Sequence, residues 1–139
     1  MNISTKFFGE IEIDKNSILS FESGIPGFEE YKQYAIIDVE DRKFKCLQSI
    51  DEKDVCLIII SPWDYFESYE FNISDSEVNE LGIIESNQAL VFNIVTVREN
   101  NVTANLIAPI VINILNNKAR QIVLCNSNYS VREGIECLF

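Results

Sequence analysis

Short apolar runs with a period of two, cut by polar turn residues, dominate this chain and restrict its fold more than any other feature. Successive side chains of a strand point to opposite faces, so the pattern fits sheet and not helix. The strand candidates are residues 3–14, 18–22, 34–39, 44–50, 55–61, 69–73, 89–98, 102–115 and 119–125. The run CLIII at 56–60 is apolar throughout, and ALVFNIVTV at 89–97 is nearly so, with Asn93 the polar exception. Strands apolar on both sides, in a chain of 139 residues, point to a sheet curled on itself. The expected fold is all-β: a small closed or partly closed antiparallel barrel-like domain with one or two short helices. The length suits one domain with one core, residues 1–139.

Punctuation within the pattern is specific. Gly9 sits where a bulge can re-aim the first strand. R-E-N-N (98–101) and N-N-K (116–118) read as turns joining neighbouring strands, Asn being tolerant of positive φ. Ser74 and Glu77 are spaced as a capping box, Val78 and Leu81 share a helical face, and Gly82 fits a helix C-terminus, so 74–82 reads as the clear helix. The tail YSVREGIECLF is a candidate for a last short helix. Residues 103–113, T-A-N-L-I-A-P-I-V-I-N, pose a conflict, because Pro109 has no N–H for a sheet ladder. A bulge or corner accommodates it, so this stretch reads as one long, bent strand closing the barrel. A tight turn at Ala108–Pro109 is the second option. Asn105, Pro109 and Asn113 are assigned to structure first.

Composition narrows function. The chain has no histidine, which removes the commonest general base and metal ligand. Its 22 acids against 11 bases give a net charge of −11, which repels nucleic acid and anionic lipid and favours basic proteins or cations. Acidic surfaces also serve solubility alone. Cys46, Cys56, Cys125 and Cys137 are scattered with no C-x-x-C, and read as small buried thiols of a reducing compartment; a disulfide or zinc site is the remote alternative. No apolar run approaches the roughly 18–20 residues that span a bilayer. The first residues, MNISTKFFGE, lack the pattern of a secretory signal, so a cytoplasmic location and no membrane partner are expected.

Residues 54–97 contain no Lys or Arg but hold Asp54, Asp64, Glu67, Glu70, Asp75, Glu77, Glu80 and Glu85. Acids interleaved with aromatics in P-W-D-Y-F-E-S-Y-E-F (62–71) suggest a docking surface for a positively charged protein. The plainer reading makes Trp63, Phe66 and Phe71 core and the acids a solvated exterior. Glu67 and Glu70 are near enough for a glycosidase pair, which needs carboxyls ~5–9 Å apart, but acids this plentiful make the signal weak. Neither a calcium loop nor a P-loop is present, and no catalytic residue, metal or cofactor is assigned. F-E-S-G-I-P-G-F-E (21–29) is a strongly specified connection. Gly24 and Gly27 suit positive φ, Ile25 is extended before Pro26, and Phe28 and Tyr31 tack the loop to the body. It is a candidate binding loop or an ordered Ω-type connection.

Several of these stretches occur together in a known order. K-F-F-G-E-I-E-I (6–13), G-I-P-G-F-E (24–29), L-Q-S (47–49), Y-E-F (69–71), T-A-N-L-I-A-P-I-V-I-N (103–113) and Y-S-V-R (129–132) together resemble the FliW family of bacterial flagellar assembly factors. The chain departs from the family pattern at Phe21-Glu22-Ser23-Gly24, where F-P-x-G is usual, and at Cys46, where an aromatic is frequent. The resemblance implies a small barrel-like fold and a role without catalysis. It implies two protein partners: flagellin, and CsrA, the RNA-binding translational regulator that represses the flagellin message. Free of flagellin, such a protein binds CsrA and relieves repression, by an allosteric route or, as the charge alone would allow, by mimicking RNA. Asp64, Glu67, Tyr69 and Glu70 are the candidate CsrA contacts, and Pro26 and Phe28 the candidate flagellin contacts. A carbohydrate-binding module using Trp63 and Tyr65, or a carboxylate-based hydrolase on a β-sandwich, is the alternative.

Overall fold

The computed structural model describes residues 1–125 and 127–135. Their strands are β1 (Asn2–Ser4), β2 (Glu10–Glu12), β3 (Leu19–Ser20), β4 (Gln33–Asp38), β5 (Lys45–Ser49) and β6 (Cys56–Ile60). The helix α1 (Asp75–Leu81) follows, then β7 (Ala89–Val97), β8 (Val102–Ala104), β9 (Ile110–Asn113), β10 (Ala119–Gln121) and β11 (Glu133–Gly134). The all-β expectation holds. The main sheet runs β10-β9-β7-β6-β5-β4-β3 with antiparallel neighbours, and carries β8 on β7 and β11 on β8. It curls until its ends meet: the Ser20 N–H donates to the Asn117 carbonyl at 2.9 Å, beside a single parallel bridge from Ser20 to Lys118. The barrel is therefore partly closed.

The sheet resolves the proline conflict through a bulge. Ala104 pairs with Val95 of β7, and Ile110 pairs with Phe92 of the same strand. Residues 105–109 thus lie opposite only Asn93 and Ile94, so three residues are extra. An odd insertion flips the parity of the strand. Ala104 and Leu106 face one core, whereas Ile110 and Ile112, of the same parity, face another. Pro109 stands in the bulge just before β9, where no ladder N–H is required, and its carbonyl accepts from the Ile122 N–H at 2.8 Å.

Three apolar clusters follow from this geometry. The first fills the concave inside of the sheet, around Phe21, Ile25, Tyr34, Leu47, Ile59 and Ile110. The second covers the outer face of β6 and β7, where Ile60 and Val95 meet Tyr69 and Leu106. The third lies under α1, where Leu81 meets Val111 and Ile122. Both faces of β6 are covered, as its unbroken apolar run requires. The helix is built as its spacing predicts: the Ser74 hydroxyl accepts from the Glu77 N–H at 3.3 Å, and Gly82 ends it at φ +71°.

Other expectations are corrected. Residues 3–14 form a hairpin and not one strand: β1 pairs β2 across a turn in which the Thr5 hydroxyl donates to the Gly9 carbonyl and Gly9 takes φ +66°. Residues 69–73 form no strand. The stretch 102–115 is two strands, and of the 119–125 candidate only Ala119–Gln121 is strand, although the Ile122 and Leu124 N–H groups still donate to the Pro109 and Ile107 carbonyls of the bulge. The tail is extended at Glu133–Gly134 where a helix was expected, and 136–139 lie outside the described residues. The 116–118 turn joins β9 to β10 with Asn117 at φ +58°, and the 98–101 turn joins β7 to β8 through an Arg98 N–H to Asn101 carbonyl bond of 2.8 Å.

Candidate functional site

The acidic–aromatic segment is a cap over the second core. A 3-10 turn at Pro62–Asp64 starts it, with the Trp63 indole N–H donating to the Tyr69 carbonyl at 2.7 Å. Tyr69 is buried, 3 % exposed, so its placement among surface contacts is corrected. Its hydroxyl donates to the Leu106 carbonyl at 2.7 Å and accepts from Asn93 Nδ2 at 3.3 Å, and its ring packs on Phe71 and Tyr129. Burial raises its pKa. A residue that looked like an aromatic anchor is thus the pin of the cap. Conversely, Trp63, offered as core by the plainer sequence reading, is 44 % exposed.

Asp64, Glu67 and Glu70 are exposed on this cap. Glu67 borders a depression of about 490 Å³ whose other rim carries Glu133 and whose floor includes Phe66 and Tyr129. The Tyr129 hydroxyl donates to the Glu70 carbonyl at 3.0 Å and lies 2.9 Å from the Glu70 N–H, fixing the backbone while the carboxylate points outward. Glu133 and Tyr129 were not visible as members of this patch from local sequence, since β11 reaches it only by pairing with β8. Bases absent from 54–97 arrive from elsewhere in space. Arg120 pairs with Glu80, and the Lys43 ammonium lies 6.0 Å from the Tyr65 ring centroid.

The 24–29 loop is held by its own turns. The Gly24 N–H donates to Phe21 O at 2.8 Å and the Phe28 N–H to Ile25 O at 2.7 Å. Gly24 and Gly27 take φ +71° and +89°. Ile25 is buried in the inner core, with Phe28 and Tyr31 packed at its edge. The Gly27 N–H donates to the Glu29 carboxylate at 2.8 Å, and that bond lowers the Glu29 pKa. Pro26 is exposed and Phe28 half-buried, and both line a groove of about 390 Å³ floored by Leu57 and Ile94. Leu57 and Ile94 face the inside of the sheet, while Ile58 and Val95 face the cap. The two candidate patches therefore lie on opposite faces of the strand pair β6–β7.

The remaining conspicuous polar residues bind the framework. Asn113 Nδ2 donates to the Leu81 carbonyl at 2.9 Å, tying the end of α1 to β9. Asn105 Oδ1 accepts from the Ala108 N–H at 3.2 Å, and its carbonyl accepts from Asn93 Nδ2 at 2.9 Å, shaping the bulge. In L-Q-S, Leu47 is core, Gln48 accepts from the Lys6 N–H and donates to the Lys53 carbonyl, and Ser49 Oγ accepts from the Asp51 and Glu52 N–H groups. Cys46 is buried and Cys56 half-buried, and the neighbouring Cys46 thiol, together with burial, pushes Cys56 up. Cys125 is an exposed free thiol, against the expectation that it is buried, because the chain has left β10 by that point; Cys137 lies outside the described residues. Among the described residues no group of three or more Cys, Asp or Glu is set to hold a metal ion, and no helix is long and apolar enough to cross a membrane.

Comparison with known proteins bears directly on this arrangement. The model of the FliW protein family matches residues 2–135. The chain is 40 % identical over 137 residues to the flagellar assembly factor FliW of Anoxybacillus flavithermus, covering 97 % of this chain and 94 % of that one. To the protein of the same name from Bacillus subtilis it is 40 % identical over 138 residues, covering 97 % and 96 %. A crystal structure of the flagellar assembly factor FliW superposes with a TM-score of 0.92 at 38 % identity, covering 96 % of each chain. With the sequence, the curled sheet and a near-complete overlap in agreement, this chain belongs to the FliW family of flagellar assembly factors.

Proposed function

We propose that this protein is a non-enzymatic partner switch of the cytoplasm: it binds flagellin and, when flagellin is absent, binds CsrA and relieves repression of flagellin synthesis. Family membership over nearly the whole chain is the observation that carries the reading. The geometry supports it. Asp64, Glu67 and Glu70 stand on a cap that the Tyr69 and Tyr129 hydrogen bonds hold rigid, so an acidic face is ready-made for a basic RNA-binding partner. Pro26 and Phe28 offer an apolar face for flagellin on the other side of β6–β7. Two patches on opposite faces need not exclude each other by overlap, so exchange of partners would be transmitted through the strand pair. Titration of purified CsrA tests the reading. Glu67→Lys with Glu70→Lys is expected to weaken binding by about tenfold or more, because rim charges steer and position the partner, with the melting temperature unchanged. Undiminished CsrA affinity in the double variant removes this site, and failure of wild-type protein to bind either partner removes the function.

A further inference from the structure

The groove beside Pro26 and Phe28 differs in charge from the rest of the molecule. In a chain with 22 acids, its walls contain no Asp or Glu but two of the chain's arginines, Arg98 and Arg132. Both are exposed, and neither forms a salt bridge among the described residues, where Arg120, Lys118 and Lys45 each do. They come from sites far apart in sequence. Arg98 directly follows β7, at the start of the turn into β8. Arg132 immediately precedes β11, whose Glu133 pairs with Ala104, so Arg132 is carried alongside Asn105 on the same side of the sheet. Between them the floor is apolar, from Leu57 and Ile94, and the amides of Asn105 and Gln121 add neutral hydrogen-bonding groups.

We infer that this groove is a seat for an acidic–apolar polypeptide segment of a protein partner, with its carboxylates on Arg98 and Arg132 and its apolar side chains on Phe28, Leu57 and Ile94. Guanidinium groups bind carboxylates through paired, charge-assisted hydrogen bonds, and an unpaired cation beside an apolar floor favours an anionic group carried on an apolar body. Charge complementarity selects this occupant over a second copy of the chain, because two molecules of net charge −11 repel. The inference rests on the reading of Pro26 and Phe28 as the flagellin contact and extends it: the segment of flagellin that docks here is acidic as well as apolar.

Two probes test it. The first is a nonapeptide of repeated Leu-Glu-Ser, acetylated and amidated, against its Leu-Gln-Ser twin, followed by amide NMR of the whole chain. The glutamate peptide is expected to shift the Arg98 and Arg132 signals and to bind about fivefold or more tighter than its twin, as charge-assisted bonds exceed neutral ones. That preference is expected to vanish in R98E/R132E and to survive in K15E/K53E, which makes the same change in net charge at exposed lysines elsewhere. Equal binding of the twins, or shifts away from the groove, overturns the inference. The second probe is purified flagellin. If wild-type protein binds it and R98E/R132E binds it as well as K15E/K53E does, the groove is not its seat and the inference fails. If wild-type protein does not bind flagellin at all, the partner reading fails, while the peptide result still decides what the groove recognises.

Discussion

At the scale of the residue, chemistry that looked like surface turns out to be fastening. Tyr69 shows this best: its hydroxyl answers the buried Leu106 carbonyl and receives Asn93. Tyr69→Phe keeps the ring and removes both bonds, so it should cost about 1–2 kcal/mol. That corresponds to a fall of roughly 3–7 °C in Tm for a domain of this size, measured by calorimetry, with affinity for CsrA preserved. The two loop glycines separate strain from collision. A Cβ on Gly24 would lie 2.8 Å from Glu29 Cα, whereas one on Gly27 would meet nothing within 4 Å, although both residues are left-handed. Gly27→Ala should therefore cost only the left-handed strain of about 1 kcal/mol, and Gly24→Ala visibly more, because backbone must shift as well. Urea titration of the two variants checks the order.

At the scale of the element, Pro109 and the segment 69–73 mark what a period of two can and cannot reveal. Pro109→Ala relaxes the unfolded chain and removes ring packing from a buried site, so stability should fall by about 1–2 kcal/mol while partner affinity stays constant. A loss of affinity without a loss of stability would make the bulge an interface. Most strands were legible because alternation and turn residues agree, as in β4 to β7 and in the turns at 98–101 and 116–118. The failures have a common cause. Alternation reports that every second side chain is buried, and not that the backbone is paired. Tyr69 and Phe71 alternate with Glu70 because irregular chain lies on the outer face of the sheet, with Tyr69 and Phe71 packed into the core there. Phe7 and Phe8 look like strand, yet they sit exposed in the turn of the first hairpin.

At the scale of the whole molecule, the candidate sites were legible only where their residues adjoin in sequence. Asp64, Glu67 and Glu70, or Pro26 and Phe28, could be read as local clusters. Glu133 beside Glu67, and Arg98 with Arg132, could not, since only the pairing of β7, β8 and β11 brings them together. The same strand order has a larger consequence. Phe92 of β7 belongs to the inner core and Val95 to the core beneath the cap, while Ala89 and Val91 pack beneath α1. No cluster can melt while β7 stays intact for the others, so unfolding should be cooperative. A single calorimetric transition is expected, and the slowest hydrogen–deuterium exchange should fall on the amides of Phe92 to Val95. Two separated transitions would show that the three clusters are independent folding units and that β7 merely passes between them.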